Sequence, residues 1–154
     1  MNKEGVVQTT AIEDPPGDGR SCERFTVVDA GGGLIALYNV KHRRFVRMHS
    51  GQVDGGGGQV DSLPAQWDSE RFRVVDAGNG KIAMYSGTES RFLRADSKHR
   101  GLGVVDVPKT KKAADELPPE DEWKAERFVV VPWVPLRLGA SATAAAAVLA
   151  PPSH

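Results

Sequence analysis

Residues 40–50 read VKHRRFVRMHS, a stretch in which Lys41, His42 and Arg43 stand together and Arg44, Arg47 and His49 follow closely. Clustered cations of this kind can grip an acidic partner or a phosphate-bearing ligand. Two more basic groups lie further on, Lys98, His99 and Arg100 in DSKHRG, and Lys109, Lys111 and Lys112 in PKTKK. The bland alternative is a solvated surface, the commoner fate of exposed Lys and Arg. His42, His49 and His99 stand among these cations, but three histidines are few for a pH switch. Chemistry by nucleophile or acid and base has less to build on. Cys22 has no base near it in sequence, and the carboxylates fall in turns or in one long acidic loop. The run GGGG at 55–58 lacks the Lys-Ser/Thr and following helix of a phosphate loop. No catalytic residue, metal ligand or cofactor is therefore expected, and enzyme is the weakest functional class.

Composition narrows the field further. The chain has 154 residues, with twenty Lys and Arg against twenty Asp and Glu. That length supports one core, and a formal net charge of zero provides no global field towards nucleic acid or an anionic membrane. Neither a nucleic-acid partner nor membrane insertion is expected, since no apolar run approaches the ~20 residues of a spanning helix. The N-terminal MNKEGVVQTT has no apolar leader core, and the single cysteine suits a reducing compartment. These features together predict an intracellular, cytoplasmic protein.

The elements that must position the basic groups come in copies. ERF occurs at 23–25, 70–72 and 126–128, followed by TVV, RVV and VVV, and Trp67 and Trp123 each stand three residues before their glutamate. In RFRVVD, Phe72 and Val74 alternate with Arg71 and Arg73, the period of a half-buried strand; in KIAMYS, Ile82 and Met84 oppose Lys81 and Tyr85. DAGGG and DAGNG between such runs supply the positive φ of tight hairpin turns, with Asp29 and Asp76 placed to bond their own backbone. Two shorter strands follow each hairpin: RFVRMH and GQVDS in one copy, RFLRAD and GVVDV in the next. With GVVQT at the start and ERFVVV near the end, ten candidate strands predict a closed or sandwiched all-β domain.

The order W-x-x-E-R-F-x-V-V-x-x-G-N-G-K-I-A-M-Y-S, then R-F-L-R-A, then G-V-V-D, resembles the β-trefoil modules of fascin-like actin-crosslinking proteins from Gly5 to Trp133. The resemblance implies three four-strand units closing a six-stranded barrel, and actin as a partner of the basic loops. GVVQT reads as the fourth strand of a first unit. The expectation is thus an all-β, fascin-like β-trefoil over residues 1–133 lacking the first two strands of that unit, with an Ala/Pro-rich tail over 134–154. Such a gap exposes strand edges, so a partner or the chain's own tail should cover it.

Residues recurring at equivalent places serve the scaffold. Phe25, Phe72 and Phe128 are expected in one core, Trp67 and Trp123 packed beneath the loops entering the barrel, and the stems of Arg44, Arg91, Arg47 and Arg94 over apolar surface. Function is then sought among the positions left over. Lys41, His42 and Arg43 correspond to Thr88, Glu89 and Ser90, so the fold does not dictate their charge. The loop VPKTKKAADELPPEDEW, basic then acidic, reads as a surface extension or a disordered segment, and the four glycines as flexible. The Ala run of the tail has the composition of a marginal helix of about three turns. Three functions compete: an actin-binding module, an accessory structural subunit held by its neighbours, and a carbohydrate-binding trefoil, although a repeated Gln-x-Trp signature is absent.

Overall fold

The computed structural model describes residue 1 and residues 24–96, 101–106, 117–118, 123–133 and 146–150. The strands are β1 (Phe25–Gly31), β2 (Leu34–Asn39), β3 (Arg44–Phe45), β4 (Arg47–His49), β5 (Gln52–Asp54) and β6 (Phe72–Gly78). They continue as β7 (Lys81–Ser86), β8 (Arg91–Asp96), β9 (Gly101–Asp106), β10 (Phe128–Trp133) and β11 (Ala146–Ala150). No helix occurs among the described residues. The expected strand GVVQT lies outside them, as do Lys98, His99, Arg100, Lys109, Lys111 and Lys112.

Antiparallel pairing runs in a ring: β1 to β2, β2 to β6, β6 to β7, β7 to β10, β10 to β11, and β11 back to β1. Three hairpins therefore close a six-stranded barrel, and the pairs β4–β5 and β8–β9 stand off it as the outer halves of the first two units. The first two hairpins turn alike. Asp29 Oδ1 accepts from Gly31 N–H and Asp76 Oδ1 from Gly78 N–H, both at 2.9 Å, and the ladder shifts register at the same place in each. Asn79, at φ 54°, holds the left-handed position that Gly32 occupies in the first copy.

Two expectations are corrected by the ring. The Ala-rich tail is not helical at 146–150 but extended, with Ala147 opposite both Phe25 and Pro132. An isolated short helix is marginal in water, whereas the space between β10 and β1 offers backbone partners on two edges. The tail itself thus closes the gap, and the boundary drawn at 133/134 falls between the two strands of the third hairpin.

Phe25, Phe72 and Phe128 share one buried cluster with Leu37, Val46, Met48, Met84, Leu93 and Met1. Each ring removed from water contributes roughly 1.5–3 kcal/mol. A second cluster lies on the other face of β7, where Ala83, Tyr85 and Phe92 are buried with Leu117 and Trp123 packed against them. Tyr85, expected on the solvent side of its strand, is only 6% exposed because the segment entering β10 covers that face.

The Glu-Arg pair before β6, and again before β10, carries a clamp. Arg71 donates to the carbonyls of Ala30, Pro64 and Ala65, tying the preceding hairpin tip to the loop that leads into β6. Arg127 repeats this one unit on, donating to Ala77, Trp123 and Pro118. Glu70 and Glu126 are each 3% exposed. Burial pushes both carboxyls above their ordinary range, against the opposing pull of nearby Arg47 and Arg94 respectively. A raised folded-state value means that the charged form costs stability above it, a cost that fades as pH falls towards the unfolded value. Glu70→Gln is accordingly expected to melt a few degrees above the parent near neutral pH, with the difference shrinking in acid. Thermal melts across that range check it, and an unchanged or lower melting temperature at neutral pH contradicts it.

Candidate functional site

Four of the expected basic residues can be placed. Lys41 is exposed on the turn between β2 and β3. His42 follows, its N–H donating to Asn39 Oδ1 at 3.0 Å and its carbonyl accepting from Gln59 Nε2 at 3.2 Å. Arg43 makes a two-pronged ion pair with Asp61, both contacts at 2.8 Å, and Asp61 holds its guanidinium above the ordinary value by hydrogen bond and charge. Arg47 does the same with Asp54 across β4–β5, at 2.9 and 2.8 Å. Burial pushes the Asp54 carboxyl up, but hydrogen bonds from Arg47 and Gly56 N–H, with the guanidinium charge, outweigh it and hold the group low. Two of the four cations are thereby matched by carboxylates of the same unit. His49 is exposed, with Nδ1 4.0 Å from Glu89 Oε1.

These pairs bind down the glycine-rich segment. Tyr38 Oη donates to Val60 O at 2.8 Å, and Val60 N–H to Arg43 O, also at 2.8 Å. A Cβ on Gly57 would meet the Trp67 ring at 3.3 Å. The glycines expected to be flexible instead let the backbone lie against Trp67, which fills the underside of the loop. Trp123 stands edge-on to Phe92 with centroids 6.1 Å apart.

The more concave place is elsewhere. A groove of about 220 Å³ opens between the first two units, lined by Leu34, Asp68, Arg71, Arg73, Tyr85 and the turn residues Gly87 and Thr88. Its floor follows from strand register. Leu34 on β2 lies opposite Arg73 on β6, which lies opposite Tyr85 on β7, so the three side chains share one face in a row across the sheet. Asp68 is 70% exposed at one wall, 3.7 Å from Arg71 Nε, while Arg71 is fixed by its three carbonyls. Thr88 also lines it, its hydroxyl 3.1 Å from Ser86 Oγ. The lining of the groove includes acceptors, donors and an apolar patch. Among the described residues no group of three or more His, Cys, Asp and Glu is placed to hold a metal ion, and no helix is long and apolar enough to cross a membrane.

None of the groove residues was singled out by its sequence context; Arg73 read simply as the polar face of RFRVVD. The usable signal was its counterparts. Equivalent rows at the other two seams are Lys81, Val129, Ala150 and Ala146, Thr26, Tyr38. An arginine over this row is therefore particular to one seam rather than required by the barrel.

No protein-family model matches the sequence, and no curated protein matches it. Solved structures do. The designed threefold symmetric protein ThreeFoil is similar at a TM-score of 0.50 and 14% identity, over 81% of this chain and 79% of that one. The cytolethal distending toxin of Actinobacillus actinomycetemcomitans is similar at a TM-score of 0.50 and 8% identity, over 99% of this chain and 88% of that one. At such identities the likeness concerns the fold, an all-β β-trefoil; membership of the fascin-like family does not follow from it.

Proposed function

We propose that this chain is a non-enzymatic binding module that takes a small hydroxylated ligand, of carbohydrate type, in the groove between its first two units. The observation that carries this reading is the cross-strand row Leu34, Arg73, Tyr85, with Asp68 and Thr88 in the same lining. Sugars present alternating hydroxyl donors and acceptors around a partly apolar ring, and this lining supplies carboxylate and hydroxyl acceptors, guanidinium donors and an apolar floor. At about 220 Å³ the space suits one ring rather than a chain. A glycan array is expected to show hits that Asp68→Asn weakens severalfold, because a carboxylate that accepts through two oxygens becomes a neutral amide that accepts through one; an array without hits removes the reading.

The fascin-like resemblance supports a second reading, a protein partner such as actin or a neighbouring subunit gripped by the basic turn. One observation favours it: Lys41 is exposed where the next unit has Thr88. Against it, Arg43 and Arg47 already face Asp61 and Asp54. Co-sedimentation of the same preparation with filamentous actin separates the two readings.

A further inference from the structure

We infer that Gly87 is the residue that opens this groove to a hexose ring, by leaving bare the place where a side chain would stand in the ring's way. The inference rests on the carbohydrate reading and adds to it the determinant of ligand size.

Register places Gly87 at the groove. Leu34, Arg73 and Tyr85 form one row across the sheet, and side chains two residues apart along a strand share a face. Gly87 stands two residues beyond Tyr85, just past the end of β7 at Ser86, and lines the groove beside Thr88. A Cβ at Gly87 would meet no atom within 4 Å, so the space over its backbone is open. Unlike Gly78 and Gly80 at the preceding hairpin tip, Gly87 does not hold a positive φ. Neither backbone conformation nor crowding therefore calls for glycine here.

The first unit shows what the barrel otherwise carries at this place. NVKHRRF at 39–45 aligns with SGTESRF at 86–92, which sets Val40 against Gly87. Val40 likewise stands two residues beyond the tyrosine of its row, Tyr38, and it is 63% exposed. Its side chain reaches into solvent where the second unit has bare backbone. A valine at Gly87 would extend into a space of about 220 Å³, and in a site fitted to its ligand one extra methylene is worth roughly tenfold or more. Because the first unit already accepts valine at the matching position, Gly87→Val separates loss of binding from loss of fold.

NMR titration with glucose, galactose, mannose and N-acetylglucosamine tests the inference. At least one of these sugars is expected to bind the parent and to shift the amide signals of Gly87 and Thr88. Gly87→Ala should weaken that sugar severalfold and Gly87→Val at least about tenfold. Both variants should melt within about 2 °C of the parent, as exposed substitutions on an unstrained backbone do. Val40→Gly, at the matching place in the first unit, should leave binding unchanged. Binding by Gly87→Val as tight as the parent's overturns this inference and leaves the carbohydrate reading standing. An equal loss in Val40→Gly, or a sugar that binds without moving the Gly87 and Thr88 amides, also overturns it. Binding of none of the four sugars by the parent removes both.

Discussion

A chain ending at residue 145 is expected to lose cooperative unfolding, or to melt at least about 10 °C below the parent, and to associate with itself. Removing β11 takes away the ladder along Val129–Trp133 and the closure onto Phe25 and Thr26. Backbone groups of β10 and β1 are then left without strand partners, and an open edge beside apolar side chains is a template for aggregation. A domain of this size holds only about 5–15 kcal/mol in total, and each kcal/mol shifts its melting temperature by roughly 2–4 °C. Val148→Pro reaches the same strand without shortening the chain, by removing a donor opposite Val131. Calorimetry and size-exclusion chromatography of both variants check the result. If both melt like the parent as monomers, the tail does not close the barrel.

Phe72→Ala is expected to cost about 3–5 kcal/mol, near the upper range for a single substitution. The Phe72 ring is 0% exposed and sits in the cluster that receives one phenylalanine from each unit, so its removal leaves a cavity that three hairpins share. Val74, two residues along the same strand, is 39% exposed. Val74→Thr should therefore stay within about 0.5 kcal/mol of the parent. Urea unfolding of the two variants side by side measures the contrast. Similar losses from both would mean that the three rings do not form one interior.

The shared core was legible because it is written locally and three times over. A phenylalanine follows each Glu-Arg, and in the first two copies an Asp-Ala-Gly turn that bonds its own aspartate specifies the same hairpin. The groove was not legible by such means. Leu34 and Arg73 belong to different hairpins, and nothing in either stretch states the register that sets them opposite each other. The basic turn was legible as composition and misleading as charge, since Asp61 and Asp54 carry no mark that they fold back onto Arg43 and Arg47. Tyr85 alternated as a surface residue should, and only the arrival of Trp123 and Leu117 from the third unit buries it.

By itself the amino-acid order determined the repeating hairpins, their turns and the residues that line the interior, because those choices depend on backbone preference and on which side of a strand is apolar. Tertiary structure alone decided that Ala146–Ala150 is a strand and that one seam holds an arginine between a leucine and a tyrosine. Both outcomes are settled by partners far away in sequence. An alanine-rich segment is weakly committed to any conformation, and two waiting strand edges supply more backbone hydrogen bonding than its own short helix would.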